Sequence, residues 1–351
     1  MASRKEILSI SGPPPIPVFE WNNLYHRASL ISCLVQGVYT IERDRQQNRY
    51  GSNAVASPWW MFYNFTLIQQ LIGTHLNNVT YHNTPNSKAH ILPPRYVIAL
   101  RGTILTPQTM ACDVKLNIRT MACDVKLNIP FAFENLHRGG RFIQAIQAIQ
   151  NLVTTCRNRA VWIAGHSLGA GLALLAGKII AMYGRPVEAY IFNPPISLIP
   201  LEQLVESEDL KCAVRLIGDI VKAGIARVLD LNEGQGSHLF MNLASWRPHL
   251  FVNQSDPICS EYIGYFNHRG DMGELRLGRI ERLARYSIRK ILFGGGGQSS
   301  SSSYSSEEHL HFLPSAFVMV NTFISPDFQT DHGIHQWWNP LLGHYSYQFS
   351  V

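Results

Sequence analysis

Val161-Trp162-Ile163-Ala164-Gly165-His166-Ser167-Leu168-Gly169-Ala170-Gly171-Leu172-Ala173-Leu174-Leu175 is the stretch whose reading decides the fold. Its first third is a short run of apolar, partly β-branched residues, which suits a buried strand. Its last third is small and apolar, which suits a buried helix. Between them stands Gly-x-Ser-x-Gly. A hinge this sharp requires a strained backbone angle at Ser167, and glycines two residues to either side leave room for the turn. The expected result is a hydroxyl exposed at a helix N-terminus. A bare Gly-x-Ser-x-Gly is weak evidence; the strand before it and the helix after it make it specific.

Working outward, apolar runs alternate with helical patterns. Arg95-Tyr96-Val97-Ile98-Ala99-Leu100 reads as a strand ending at Arg101-Gly102-Thr103. Phe142, Ile146, Ile149, Val153 and Cys156 recur at spacings of three and four, which predicts an amphipathic helix from about 135 to 156. After the helix that follows Ser167, Gly184-Arg185-Pro186 is a stop signal. Val187 to Phe192 is a further strand, closed by Asn193-Pro194-Pro195. His249 to Asn253 and Ala316 to Val320 are two more. Strand alternating with helix predicts an α/β fold with a mostly parallel central sheet and helices on both faces.

The rest of the chain is less regular. Residues 1–20, with Pro13-Pro14-Pro15, read as a flexible tail, and 21–351 as a single domain. Residues 21 to about 72 suggest helices of unclear limits, and 77–92 a polar loop. Thr109 to Ile118 recurs residue for residue from Thr120 to Ile129, a tandem duplication within 109–130. Its repeat of about 11 residues is odd, so a strand continued through both copies would face the wrong way in one of them. One copy is expected to bulge out as loop. Residues 201 to 245 read as mostly helical. A Gly/Ser-rich low-complexity insert spans 294–306.

Composition limits the function. The chain is 351 residues long and 46% hydrophobic, enough for a large core, and its net charge of +6 is dispersed. Nucleic acid is therefore not an expected partner. The start runs into a Pro-rich stretch and not an apolar segment, so no secretory signal is expected, and no run is long enough to span a bilayer. The six cysteines form no Cys-x-x-Cys pair, which suits a reducing compartment, and a cytoplasmic location is the default. Arg276, Arg279, Arg282, Arg285, Arg289 and Lys290 fall opposite Leu277, Ile280, Leu283, Ala284, Ile288 and Ile291 on one helical pattern. Such a helix reads first as a solvated surface element and second as a site of peripheral contact with lipid surfaces.

A serine hydroxyl is a poor nucleophile at neutral pH. Ser167 therefore requires a general base, and the base requires a carboxylate to hold its tautomer. In sheets of this kind the partners stand later in the chain, acid before histidine, each beyond a strand end. Asp256 follows the strand ending at Asn253, whereas Asp219 and Asp230 lie in helical pattern. For the base, His332 and His335 follow the last strand, and His309 and His311 precede it. A metal reading of these four histidines lacks a suitably spaced third ligand, and no His-Glu-x-x-His occurs. The oxyanion of a tetrahedral intermediate would take the N–H of Leu168 and a second donor after an earlier strand, for which Thr103 leads.

These residues together resemble the class 3, or fungal-type, lipase family of the α/β hydrolases, and its plant lipase-like members in particular. The resemblance spans roughly residues 90 to 340. It rests on Ala99-Leu100-Arg101-Gly102-Thr103, Gly165-His166-Ser167-Leu168-Gly169, Asn253-Gln254-Ser255-Asp256-Pro257 and His332-Gly333-Ile334-His335-Gln336-Trp337-Trp338. The resemblance implies a serine carboxylester hydrolase acting on acylglycerol or related lipid esters without a cofactor. Ser167, Asp256 and His332 would be its catalytic residues, Thr103 and Leu168 its oxyanion hole, and His335 the alternative base. It places the catalytic histidine a few residues before an amide and an aromatic pair, which favours His332. It also implies a lid after the oxyanion strand, where this chain carries its duplication, with Asp113 or Asp124 as the lid's acidic residue. The competing expectation is a catalytically weak or inactive lipase-like scaffold that binds lipid or protein partners.

Overall fold

The computed structural model describes residues 16, 18–56, 58–73, 76–83, 93–102, 140–156, 160–195, 241–267, 313–325, 328–338 and 344–349. Thr103, the duplication at 109–130, nearly all of 201–245, the basic pattern at 276–290, the insert at 294–306, and His309 and His311 lie outside the described residues.

Eight strands form one sheet in chain order: β1 (Phe65–Gly73), β2 (Leu76–Asn83), β3 (Tyr96–Leu100), β4 (Val161–His166), β5 (Glu188–Phe192), β6 (His249–Asn253), β7 (Ala316–Asn321) and β8 (His344–Phe349). β3 to β7 are parallel, in register from Tyr96 opposite Val161 to Asn253 opposite Asn321. β1 and β2 add an antiparallel pair at one side and β8 an antiparallel strand at the other. β4 and β6 are buried along their whole length, as strands covered on both faces must be.

The sequential order decides where the helices go. Each parallel strand is laid down beside the last in the same direction, so right-handed crossovers bring their helices to one face. α2 (Gly140–Thr155), between β3 and β4, and α3 (Leu168–Met182), between β4 and β5, are both there. Their apolar residues close one core with Ile98, Leu100, Ile163, Ile191, Leu250 and Val318. The alternate strand residues, Val97, Trp162, Tyr190, Phe192, Phe251 and Met319, point the other way. That second face is covered by α1 (Leu24–Gln46), capped by the Asn23 side chain, which accepts from the N–H groups of Tyr25 and His26. Aromatic rings stack across it from strand to strand, Trp162 on Tyr190 at 5.2 Å, Tyr190 on His249 at 4.8 Å and Phe192 on Phe251 at 4.5 Å.

Several expectations are corrected. Only Leu24–Gln46 of the segment 21–72 is a long helix. Phe65–Gly73 is an edge strand, and its partner runs through Asn83, where a loop is expected from 77 onward. A register shift between Leu67 and Gln69 breaks the alternation, and an edge strand buries only part of one face, so its apolar spacing looks mixed. β8 is a second edge strand the sequence does not announce, because its residues Tyr345, Ser346 and Gln348 lie exposed and give no apolar alternation. Packing also reaches back into the expected tail: the Phe19 ring meets Trp21 at 4.9 Å and Tyr63 at 5.4 Å.

No helix among the described residues is long and apolar enough to cross a membrane. Cys33, Cys156 and Cys259 are free thiols.

Candidate active site

The carboxyl ends of β3 to β7 lie side by side at one edge of the sheet, and the chain leaves each of them with a polar residue. At the end of β4, Ser167 takes φ 54° and ψ −126°, the strained angle its turn requires. Its N–H donates to the Phe192 carbonyl at 3.0 Å, and its carbonyl accepts from Ala170 at 2.9 Å. The two glycines of the motif are needed for contact. A Cβ on Gly165 would strike the backbone of Gly169, and a Cβ on Gly169 would strike the carbonyls of Leu100 and Arg101. The helix after Ser167, α3, is thereby seated directly on the end of β3. Leu168 is the first residue of α3, so its N–H has no acceptor within the helix and is available at the positive end of the helix dipole.

Asp256 follows β6 and is fully buried. One carboxylate oxygen accepts from His332 Nδ1 at 2.8 Å, Asn193 Nδ2 at 2.7 Å and the Cys259 thiol at 3.1 Å. The other accepts from the Ile258 N–H at 3.0 Å. Burial by itself would push the Asp256 pKa up, but the His332 charge and the bonds from His332, Asn193 and Ile258 outweigh it and hold the group below the ordinary carboxylate value. An ionised Asp256 in turn fixes the His332 proton on Nδ1, which leaves Nε2 as an acceptor.

His332 ends the short helix α4 (Phe328–His332) beyond β7, and its ring stacks flat on Phe328 at 5.3 Å. Gln336 fastens this segment to the sheet. Its amide nitrogen donates to the carbonyls of Asp331 and Gly333, and its oxygen accepts from Asn253 at 3.0 Å and Asn321 at 2.7 Å, at the ends of β6 and β7. His335 lies on the 3₁₀ turn Ile334–Trp338, is exposed, and meets Trp338 edge-on. The carboxylate bond of Asp256 goes to His332. Of the residues singled out from sequence, Ser167, Leu168, Asp256 and His332 are thus gathered at one end of the sheet.

Several contributors carry no sequence signal of their own. Asn193, read only as a strand stop, sits at the end of β5 with a left-handed φ of 46° and joins Asp256 to Trp337, whose Nε1–H donates to Asn193 Oδ1 at 2.6 Å. Its place at a strand end, like those of Ser167 and Asp256, is the hint that could have found it. His166 is buried beside the His332 ring at a centroid distance of 4.9 Å. Burial, then the neighbouring His332 charge, lowers its pKa to about 3, so it is neutral at physiological pH. Among the described residues no group of three or more His, Cys, Asp and Glu side chains is placed to hold a metal ion.

Known proteins are similar to this chain in sequence and, more distantly, in structure. Residues 97–221 match the model of the family Lipase (class 3). An Arabidopsis thaliana protein named GDSL esterase/lipase At4g10955 is 35% identical over 358 residues, covering 96% of this chain and 96% of its own. Among solved structures, 2,6-dihydroxy-pseudo-oxynicotine hydrolase aligns over 70% of both chains at 16% identity with a TM-score of 0.31. A Rhizomucor miehei esterase aligns over 77% of this chain and 84% of its own at 13% identity with a TM-score of 0.26. The chain belongs to the class 3 lipase family of the α/β hydrolases.

Proposed function

We propose that the chain is a serine carboxylester hydrolase that cleaves acylglycerols or related lipid esters through an acyl-enzyme. The observation that carries this reading is the 2.8 Å bond from His332 to buried Asp256, at the same sheet end as the strained Ser167 turn. In the reaction, Ser167 Oγ attacks the ester carbonyl carbon while His332 Nε2 takes its proton. The C–O bond to the alcohol breaks, and His332 returns that proton to the leaving alkoxide. Water, deprotonated by His332, then hydrolyses the acyl-serine and releases the acid. The oxyanion formed at each stage is received by the Leu168 N–H, with Thr103 as the second donor. Asp256 stays ionised and orients His332.

An apolar acyl group is the expected passenger. Phe323 and Ile324, just beyond β7, are 55% and 71% exposed, and Phe328 lies against the His332 ring. The name of the Arabidopsis thaliana relative, an esterase/lipase, points the same way.

A fluorophosphonate probe tests the reading, because it reacts with activated serines. The wild-type chain is expected to be labelled and Ser167→Ala to be unlabelled, with acid release from acyl esters following the same pattern. An unlabelled wild-type chain that releases no acid across acyl lengths and head groups would overturn the proposal in favour of a binding scaffold.

A further inference from the structure

We propose that Tyr39 and His166 are positioning residues that bridge the oxyanion strand to the backbone of the base, holding β3, the serine turn and the His332 segment at one fixed separation. The proposal rests on the reading of Ser167 and His332 as nucleophile and base. It starts from a chain of three bonds. The Gly102 N–H donates to the Tyr39 hydroxyl at 2.6 Å, the hydroxyl lies 2.8 Å from His166 Nδ1, and His166 Nε2 lies 2.8 Å from the His332 carbonyl.

Donor and acceptor chemistry assigns every proton in that chain. A carbonyl can only accept, so His166 Nε2 carries the hydrogen. A neutral imidazole then has a bare Nδ1, which must accept from the Tyr39 hydroxyl. That hydroxyl, having given its one hydrogen, accepts from Gly102. Tyr39 and His166 are buried, and the low pKa of His166 keeps it in the neutral state the pattern requires. Were His166 protonated, two donors would face each other unless the Tyr39 hydroxyl turned away.

The elements joined are those whose separation matters to the reaction. Gly102 precedes Thr103, the second oxyanion donor. A Cβ placed on Gly102 would lie 2.7 Å from the Tyr39 hydroxyl, 2.8 Å from Ser167 Cβ and 2.9 Å from the His166 carbonyl, so Gly102 is packed against the Tyr39 side chain and the serine turn with no room for a side chain. His166 is adjacent to the nucleophile in the chain, and the atom it grips is the backbone of the base. Tyr39 is delivered by α1. One turn on, the same helix carries Glu42, whose buried carboxylate stands 3.6 Å from Arg101 Nη2 at the end of β3. α1 therefore meets the end of β3 through two residues one turn apart, one of which continues to the base.

Tyr39→Phe keeps the ring and removes only the bridging hydroxyl. His166→Gln keeps one donor and one acceptor, whereas His166→Leu keeps volume alone. The rate of fluorophosphonate labelling and the kcat and KM for a soluble short-chain acyl ester are measured on the full chain, beside Ser167→Ala and His332→Ala. Tyr39→Phe and His166→Leu are expected to lower labelling rate and kcat roughly 10- to 100-fold with KM nearly unchanged, as misplacement of a reacting group does. His166→Gln should recover most of that loss. A purely steric role predicts wild-type rates for Tyr39→Phe and no advantage of glutamine over leucine. That result, with wild type labelled and His332→Ala unlabelled, overturns this inference and leaves the hydrolase reading intact. A wild-type chain that is not labelled overturns both. Nitrogen-15 histidine spectra at pH 6 give a readout independent of activity: His166 is expected as the neutral Nε2–H tautomer, and a protonated or Nδ1–H imidazole refutes the bridge.

Discussion

Acidification from pH 7 to pH 5 should cost the fold about 2 kcal/mol through His166 alone. In the folded chain its pKa lies at about 3, because the ring is buried and faces the His332 charge. In the unfolded chain it returns to about 6.5. Above pH 6.5 neither state binds the proton, and this residue adds no pH dependence. As pH falls below 6.5 the unfolded state takes up a proton the folded state refuses, so stability declines by about 1.4 kcal/mol per pH unit until roughly pH 3. Over the 1.5 units from 6.5 to 5 the loss is about 2 kcal/mol. Carboxylates held low, Asp256 among them, add their own losses only near and below their unfolded values of about 4, so the window between pH 6.5 and 5 separates histidine from acid. Urea unfolding followed by tryptophan fluorescence at pH 7 and pH 5 measures the slope for the wild type and for His166→Gln. Subtracting the two removes every other titrating group. The wild type should lose about 2 kcal/mol more than the variant; equal losses would mean that His166 takes up protons in the folded state, and would refute the assignment of its neutral form.

Three other substitutions probe the site and its frame. Asp256→Asn should lower kcat about 10⁴-fold with little change in KM, because an amide cannot hold the Nδ1–H tautomer of His332; ester hydrolysis kinetics measure it. Trp337→Phe removes the donor to Asn193 and leaves a buried amide oxygen short of its partner, a loss of about 1–3 kcal/mol in urea unfolding that a surface aromatic exchange would not show. Glu42→Gln neutralises a buried carboxylate that pairs with Arg45 at 2.7 Å and stands 3.6 Å from Arg101; it should destabilise the fold by about 3 kcal/mol in urea unfolding, whereas a loss below about 1 kcal/mol would show that charge to be dispensable.

The parallel strands and the serine turn are legible because their information is local. A strand buried on both faces must be apolar throughout, as β4 and β6 are, and a strand-to-helix hinge around Ser167 admits only glycine at 165 and 169. Strand-end placement singles out Asp256 and leaves His332 and His335 both open; the resemblance favours His332, and it is His332 that bonds to Asp256. The edge strands β1 and β8 are harder to read, since an edge is half solvated and, in β1, interrupted by a register shift.

What only the tertiary structure decides is how these pieces are held. Asn193 and Trp337 are 144 residues apart, Tyr39 and His166 are 127 apart, and each pair meets through one hydrogen bond. No local pattern encodes such a meeting, because tyrosine, tryptophan and asparagine look like ordinary core or turn residues until the sheet order fixes who faces whom. The strained serine turn and the strand before it are written in fifteen consecutive residues. The neutral state of His166 and the tautomer of His332 depend on burial and on partners that converge only when the parallel strands align their carboxyl ends.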